Sequence, residues 1–352
     1  MNRFDYIRPA SVPEAVAAAA EPGSAYLAAG TNLLDLMKIG AKRPRTLIDI
    51  TRLPGLDRIE WLPDGGVRVG ALVRNADLAY DDRFATAFPA VAEALLSGAS
   101  AQLRNAATLG GNLMQRTRCA YFQDVTSACN RREPGSGCDA LHGENRLHAV
   151  LGWSERCIAT HPSDFCVALA ALDAVIEVEG PRGKREIPVD SLHVLPGATP
   201  EQETALSPGE LVVALRIPVE ATAFSRNARY LKLRERTSYA FAVVSAAAAL
   251  EIDGEHIGRA RIALGGVAPK PWRAREAEAS LEGATPSTEA FARAAGLALA
   301  EARPSGDNAF KIELARRIVV RALTLALEGT PQAMPALPAS PFSTITGASH
   351  VT

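Results

Sequence analysis

Residues 104–115 read RNAATLGGNLMQ. Small residues and two glycines interrupt the hydrophobic pattern of the sequence here, which predicts a tight turn leading into the first residues of a helix. Such a turn exposes backbone N–H groups, and a helix N-terminus adds partial positive charge, so it suits a phosphate group. The stretch YLAAGTNLLDLMK, residues 26–38, has the same organisation, with the turn Ala29-Gly30-Thr31 between a short predicted strand and a helix that begins near Asn32. Two such turns in one α+β segment could hold two linked phosphates.

Two common nucleotide-binding motifs are excluded. Neither turn is followed by Gly-Lys-Ser/Thr, so neither is the P-loop of a nucleoside triphosphatase. The six residues from Gly135 to Ala140 match the spacing of the dinucleotide fingerprint. They follow Pro134 and a pair of arginines rather than a strand, and we therefore reject them as a Rossmann turn.

The chain is long enough for two or three domains, because its 352 residues exceed what one ordinary hydrophobic core supports. Composition shifts near residues 218–227, which divides the chain into an α+β domain over 1–222 and a smaller α+β domain over 223–330. An amphipathic helix is predicted at 310–329, and the proline-rich residues 331–352 are predicted to form an extended tail.

Composition excludes several classes of protein. Hydrophobic residues make up 47% and charged residues 22% of the chain, as in a soluble globular protein. A net charge of −1 argues against binding to nucleic acid or to an anionic membrane surface, since both need a basic excess. The longest apolar run, residues 241–250, is far shorter than the ~20 residues of a membrane-spanning helix.

The N-terminus, MNRFDYIRPASVPEAV, contains no apolar segment of the kind that a secretory signal has. We therefore expect the chain to fold in the cytoplasm, where disulfides are disfavoured. This expectation leaves open export as a passenger on a partner that carries a signal.

Four of the five cysteines lie in one Arg- and Gly-rich stretch: Cys119, Cys129, Cys138 and Cys157. Three interpretations are open. Structural thiols or disulfides would leave unexplained why the apolar core elsewhere lacks cysteine, and an odd number of cysteines fits a disulfide framework poorly. A structural zinc site usually has cysteine pairs about two to four residues apart, whereas the gaps here are 9, 8 and 18 residues. An iron–sulfur cluster needs only that four thiolates converge, and nearby arginines would offset its charge.

Five stretches occur in the order and spacing of a known family: YLAAGTNLLDLMK, RNAATLGGNLMQ, HPSDFCVALAALDA, LVVALRIP and YLKLRE…SYAFAVVSAAAAL. By these motifs the chain resembles, over residues 3–330, the FAD-binding subunit of the xanthine dehydrogenase/carbon monoxide dehydrogenase family of molybdenum hydroxylases. The resemblance implies an α+β fold, in which a two-part FAD-binding domain of the PCMH type is followed by a smaller α+β CO dehydrogenase flavoprotein C-terminal domain.

The resemblance also implies which residues bind FAD. Asp164 would hydrogen-bond the FAD, and Lys232 would lie close to the flavin. This family usually has Gly-Gly-Thr in the first pyrophosphate loop, whereas this chain has Ala29-Gly30-Thr31, whose extra methyl group narrows the approach to the backbone slightly. The residues of the two loops are Leu27, Ala28, Ala29, Gly30, Thr31, Asn32 and Leu33 in the first, and Thr108, Gly110, Gly111 and Asn112 in the second.

An insertion at about residues 115–160 distinguishes this chain within the family. In the ordinary member the second Gly-rich turn leads almost directly into the Pro-x-Ser-Asp turn, but here about 45 residues intervene, and they hold the four clustered cysteines. The form with this insertion resembles the FAD subunit of bacterial periplasmic aldehyde oxidoreductases, which implies that the four cysteines ligate a [4Fe–4S] cluster. Cys166 is predicted to pack in the core, and His142, His148 and His161 are interpreted as ordinary polar or loop histidines.

The resemblance implies a function in electron transfer. The chain would be the FAD- and [4Fe–4S]-carrying subunit of a molybdenum-dependent aldehyde oxidoreductase, with no catalytic residue of its own. Its partners would be a large molybdenum-cofactor subunit and a small [2Fe–2S] subunit, from which electrons reach an external acceptor. We expect neither nucleic acid nor a membrane as a partner. The expected location is the periplasm, by co-export with a signal-bearing partner, with the cytoplasm as the alternative.

Two other functions stay open at this point. One is a free-standing FAD oxidase that acts directly on a small substrate. The other is a non-redox binding protein whose loop is held by zinc.

Overall fold

The computed structural model describes residues 1–331, so the tail predicted over 331–352 lies outside the described residues except for Pro331. The first elements are β1 (Asp5–Ile7), α1 (Val12–Ala19), β2 (Ser24–Leu27), α2 (Leu33–Lys38) and β3 (Thr46–Asp49). The three strands form a small parallel sheet of order β1-β3-β2. Parallel neighbours need a crossover connection, which the two helices supply. This sheet positions the first Gly-rich turn, because that turn joins the end of β2 to the start of α2.

A larger antiparallel unit follows. Its strands are β4 (Ile59–Trp61), β5 (Val67–Gly70), β6 (Val175–Gly180), β7 (Gly183–Pro188) and β8 (Leu211–Ile217), in the order β4-β5-β8-β6-β7. Its helices are α3 (Asn75–Ala79), α4 (Asp82–Ala87), α5 (Pro89–Ser97), α6 (Ala101–Ala106), α7 (Leu109–Leu113), α8 (Ala120–Gln123), α9 (Asp164–Ala171) and α10 (Val189–Leu192), with 3₁₀ turns at Asp139–Leu141 and Val219–Phe224. All eight residues of α9 are buried. Helix α9 is therefore the central helix of this unit, as its uninterrupted apolar sequence indicates.

The C-terminal unit is an antiparallel sheet covered by helices. Its elements are β9 (Ala228–Leu233), β10 (Val244–Asp253), β11 (His256–Gly265), β12 (Trp272–Arg273), α11 (Arg275–Ala279), α12 (Thr288–Ala298) and α13 (Phe310–Glu328), with strand order β12-β11-β10-β9. The first seven residues of β10 are buried because α13 packs on one face and α5 and α9 pack on the other. Small alanines allow this close approach on both faces. None of the helices described over residues 1–331 combines the length and the apolar character needed to cross a bilayer.

The cysteine-rich insertion has little regular structure but is not peripheral. Val150 and Leu151 belong to the hydrophobic core of the C-terminal unit. The backbone N–H of Val150 donates to the carbonyl of Val267 at 2.8 Å, and the Val150 carbonyl accepts from the N–H of Arg303, also at 2.8 Å. The insertion therefore joins the first domain to the C-terminal unit.

A buried carboxylate also holds the two domains together. Glu93, on α5, is 4% exposed. Its two oxygens accept hydrogen bonds from the Arg229 guanidinium at 2.9 Å and from the backbone N–H of Tyr230 at 2.6 Å, both on β9. Removing only one partner of an ion pair this deeply buried strongly destabilises the folded protein.

We predict that Glu93→Gln lowers the free energy of unfolding by about 3 kcal/mol, because it leaves the Arg229 charge buried without a counterion. The matched control is Glu313→Gln, which removes the carboxylate of an exposed pair with Arg317 on α13 and is expected to change stability by about 0.5 kcal/mol or less. Urea unfolding followed by circular dichroism measures both. Equal effects of the two substitutions would contradict the role given to Glu93.

Candidate functional site

The first Gly-rich turn is shaped by Gly30. Its φ is +75°, and a Cβ at this position would lie 2.6 Å from Cδ1 of Leu34, so only glycine fits. Asn32 follows as the N-cap of α2. Its side-chain oxygen accepts from the backbone N–H of Arg116 at 3.0 Å, which ties this turn to the start of the insertion. Its Nδ2 is buried and has no hydrogen-bond partner within the described part of the chain, so the turn keeps an unused donor for a ligand.

The second turn is more fully engaged in internal hydrogen bonds than the sequence indicates. Thr108 is the N-cap of α7, and its hydroxyl accepts from the N–H of Gly111 at 3.2 Å. The N–H of Gly110 donates to the carbonyl of Ala71 at 2.8 Å. The Asn112 side chain accepts from the Ser163 hydroxyl at 2.8 Å, so this turn contacts the His-Pro-Ser-Asp turn. A ligand at the second turn would therefore have to compete for the Gly111 amide, whereas the Gly110 amide is committed to the fold.

Asp164 and Lys232 form a buried ion pair between the two domains. The Lys232 ammonium donates to the Asp164 carboxylate at 2.7 Å, and the side chains are 3% and 7% exposed, respectively. The Tyr230 hydroxyl donates to the other carboxylate oxygen at 2.6 Å, and burial raises the pKa of Tyr230 well above its usual value. The structure thus brings together the two residues expected near the flavin. Their contact with FAD stays a prediction.

A small cleft of 40 Å³ lies against Asp164, between the first domain and the C-terminal unit. The guanidinium of Arg118 lies over the ring of Phe241 at 4.9 Å on its rim. Burial lowers the pKa of Arg118, and its Nε has no hydrogen-bond partner among the described residues. An anionic or carbonyl-bearing ligand would supply the missing acceptor.

All four insertion cysteines line a second cavity. Cys129 and Cys157 are buried, and Cys119 and Cys138 are partly buried. Cys129 and Cys138 are paired across an isolated antiparallel bridge, and Cys119 immediately precedes α8. Arg118, on the rim of the cleft at Asp164, is followed in the chain by Cys119, which lines this cavity.

The sulfur atoms are spaced too widely for a single small ion. Tetrahedral zinc holds thiolate sulfurs about 3.8 Å apart, given Zn–S bonds of about 2.3 Å. Over residues 1–331, the one group of three or more His, Cys, Asp or Glu ligand atoms within 4.8 Å of each other does not include the four insertion cysteines. A polynuclear cluster separates its thiolate ligands further than one ion does.

Burial favours the neutral form of two thiols in this cavity, Cys119 and Cys138. Burial raises the pKa of Cys119 to about 12, and neighbouring thiols add to the shift. Burial likewise raises the pKa of Cys138. Neutral, buried thiols are poor nucleophiles. A metal would have to displace their protons.

Polar side chains surround the cysteine cavity. Nε2 of His148 lies 3.2 Å from the sulfur of Cys119. The Arg131 guanidinium lies beside Cys157 and donates to the Glu203 carboxylate at 3.0 Å. Arg131 retains a raised pKa despite its burial, because Glu203 and Cys157 favour its charged form. Such donors next to sulfur are what a thiolate-bound cluster requires.

The C-terminal unit holds His148 in position. The ammonium of Lys311, on α13, donates to the carbonyls of Leu147 at 2.9 Å, His148 at 2.8 Å and Gly266 at 2.6 Å. Burial lowers the pKa of Lys311 to about 7. The Asn308 side chain donates to the same His148 carbonyl at 3.1 Å. These bonds fix the segment that places the imidazole against Cys119.

Several residues of the site were missed in the sequence. His148 and His161 were expected to be ordinary polar histidines, but His148 contacts Cys119 and His161 contacts His193 at 3.1 Å. Glu203 is far from the insertion in sequence, and no feature of the sequence identifies it as part of the site. Lys311 can be identified, because it interrupts the apolar face of the predicted C-terminal helix; in the structure it is fully buried. Cys166 packs in the core as predicted.

Two family comparisons cover most of the chain. Residues 2–220 match the family described as "FAD binding domain in molybdopterin dehydrogenase". Residues 229–326 match the "CO dehydrogenase flavoprotein C-terminal domain".

Individual relatives agree with these matches. The chain is 49% identical to the aldehyde oxidoreductase FAD-binding subunit PaoB of Escherichia coli, over 93% of this chain and 99% of the relative. It is 31% identical to the carbon monoxide dehydrogenase medium chain of Hydrogenophaga pseudoflava, over 92% of this chain and 97% of the relative. Among solved structures, reconstituted CO dehydrogenase from Oligotropha carboxidovorans matches with a TM-score of 0.74 and 26% identity, over 94% of this chain and 99% of that one.

We predict that Glu203→Gln loosens the insertion, because Arg116 and Arg131 both pair with this carboxylate and would be left without their counterion. Removing one partner from such a largely buried set is expected to cost about 3 kcal/mol. Limited trypsin digestion should then cut the insertion at its arginines at least about tenfold faster than in the unsubstituted protein. The control is Glu201→Gln, at an exposed position two residues away. Equal cleavage rates in the two variants would contradict the anchoring role of Glu203.

Proposed function

The chain belongs to the family of FAD-binding subunits of molybdopterin dehydrogenases, and from that premise we propose that it is the FAD- and [4Fe–4S]-carrying electron-transfer subunit of a molybdenum-dependent aldehyde oxidoreductase. One observation supports the cluster: four cysteines of the insertion line one cavity next to the cleft at Asp164. The aldehyde assignment is supported by the 49% identity to an aldehyde oxidoreductase subunit.

The residues present fit both proposed groups. Asn32 and Arg118 each have a buried donor atom without a partner in the described part of the chain, as expected where FAD would complete the hydrogen bonding. Bound FAD would exchange electrons between the partner subunits and an external acceptor. The first Gly-rich turn would hold the pyrophosphate through its backbone N–H groups and Asn32, and Lys232 would offset negative charge near the flavin.

The cluster would be held by Cys119, Cys129, Cys138 and Cys157. His148 would donate a hydrogen bond to the sulfur of Cys119, and Arg131 would lie against Cys157. Both contacts offset thiolate charge, and hydrogen bonds to sulfur are among the factors that set the potential of a cluster. A large molybdenum-cofactor subunit and a small [2Fe–2S] subunit are the proposed partners, which would supply the electrons.

We predict that Cys138→Ser removes the cluster but not the flavin, because the cysteine cavity and the Gly-rich turns use different residues. Anaerobically purified protein should contain about four iron atoms per chain, and the variant should lose most of them while its flavin absorption persists. The control is Cys166→Ser, which lies outside the cavity and should keep its iron. Zinc in place of iron in the unsubstituted protein, with no flavin, would overturn the proposal.

The reciprocal prediction concerns Gly111→Ala. A Cβ at this position would meet only the Thr108 hydroxyl, at 3.1 Å, so the fold should tolerate it, but the methyl group would hinder a ligand that competes with Thr108 for the Gly111 N–H. We expect flavin affinity to fall about tenfold or more, because a phosphate could no longer approach, while the iron content stays unchanged. Flavin titration and iron analysis measure the two effects. Unchanged flavin affinity would remove Gly111 from the phosphate site.

Two further experiments test the assembly and its location. Turnover of aldehyde by the isolated chain would support a free-standing oxidase instead of a subunit.

We also propose that the chain reaches the periplasm as a passenger on a signal-bearing partner. Cell fractionation with and without that partner tests this proposal, and export of the chain alone would contradict it.

A further inference from the structure

A second group of potential metal ligands lies behind the two turns, apart from the four insertion cysteines. It consists of His161, Cys166 on the first turn of α9, and His193 just after α10. Their ligand atoms all lie within 4.8 Å of one another. The residues are 9%, 0% and 4% exposed, respectively. His161 also lines the cleft at Asp164, but the proposed iron–sulfur site uses none of these side chains.

The two imidazoles are in contacts that two neutral rings cannot satisfy together. Nε2 of His193 lies 2.8 Å from the carbonyl oxygen of Leu113 and 3.1 Å from Nε2 of His161. The carbonyl requires a proton on Nε2 of His193, which obliges Nε2 of His161 to be unprotonated. The proton of His161 must then sit on Nδ1, where it faces the backbone N–H of Ser163 at 3.4 Å. If the proton of His161 sits on Nε2 instead, its Nδ1 can accept from the N–H of Ser163. Nε2 of His193 must then be unprotonated, and the Leu113 carbonyl has no donor.

Adding a proton does not resolve the conflict. Burial lowers the pKa of His193 to about 4 and that of His161 well below its usual value, and the charge of Arg131 disfavours a second positive charge at both rings. Burial therefore favours the neutral form of both rings. Nδ1 of His193 is also buried without a hydrogen-bond partner in the described residues. Neutral imidazole is the form that binds metals.

We propose that His161, His193 and Cys166 form a site for a divalent cation of the zinc class. An ion between the rings would accept the Nε2 lone pairs of both histidines, so that neither nitrogen needs the disputed proton. Two nitrogens on one tetrahedral ion lie about 3.3 Å apart, given Zn–N bonds of about 2.0 Å, and the observed separation is 3.1 Å. The Cys166 thiolate is the third ligand, and the Leu113 carbonyl or a water molecule is the fourth.

The surroundings suit such an ion. Both histidines line a cleft of 200 Å³, which provides an entry path and room for a water molecule. Glu203 interacts electrostatically with His193 and supplies negative charge. The negative charge of the Cys166 thiolate would offset the remaining positive charge of the ion, which would otherwise be repelled by the nearby Arg131 guanidinium.

The site would act as a structural link. Leu113 ends α7, His161 begins the His-Pro-Ser-Asp turn, Cys166 lies on α9, and His193 belongs to the connection after α10. An ion that joins these segments would hold the second Gly-rich turn and Asp164 in a fixed relation. This inference does not depend on the proposed flavin or cluster, since the zinc content is measured without them.

The test is metal binding by the full chain after iron loading and removal of loosely bound metal. Zn²⁺ should bind at about one ion per chain. His193→Gln should weaken this binding at least tenfold, while the iron content stays unchanged. Glutamine can still bond the Leu113 carbonyl, so folding is favoured. His256→Gln is the control, since His256 is exposed in the hairpin between β10 and β11.

Co²⁺ reports the ligand types directly. The Co²⁺-loaded protein should show a thiolate-to-cobalt charge-transfer band, and Cys166→Ser should abolish it; this second variant serves if His193→Gln misfolds. Zinc binding that is unchanged in both variants would overturn the proposal. Zinc that is lost only in Cys138→Ser would do so too, because the ion would then sit in the cysteine cavity.

Discussion

The ion pair of Asp164 and Lys232 is the interaction on which the rest of the structure depends. Its atoms are 2.7 Å apart and the side chains are almost fully buried. Two charges this far from water persist only when they meet in good geometry and their remaining positions are hydrogen-bonded, which the Tyr230 hydroxyl and the Ser97 carbonyl provide. Because one charge lies on α9 and the other on β9, the pair joins the two domains.

That relation determines where the insertion lies. The insertion starts beside Asn32 of the first turn and ends in the core of the C-terminal unit. Glu203 holds it from the first domain and Lys311 from the C-terminal unit. The irregular backbone between the cysteines is thus fixed by side chains of other elements rather than by its own secondary structure. This explains how gaps of 9, 8 and 18 residues still bring four thiols to one cavity.

The two Gly-rich turns differ in how their hydrogen-bonding groups are used. The amides of the second turn are mostly used within the fold, whereas the first turn retains a free donor at Asn32. Arg118 lies between the cleft at Asp164 and the cysteine cavity, so one short segment serves both. Redox groups placed on either side of such a segment would be close neighbours, which is what electron transfer within one subunit requires.

The local patterns of the sequence determined the α+β class, the two Gly-rich turns, the long C-terminal helix and the grouping of four cysteines, because each depends on neighbouring residues. The burial of Cys166 also followed from its apolar helix. The pairing of His161 with His193, the contact of His148 with Cys119 and the anchoring by Glu203 and Lys311 could not be predicted in this way. Each joins segments far apart in the chain. Lys311 does interrupt the apolar face of α13, but nothing local identifies the partner of a buried histidine or lysine. Only tertiary packing decided them, because burial makes a polar side chain find a specific partner.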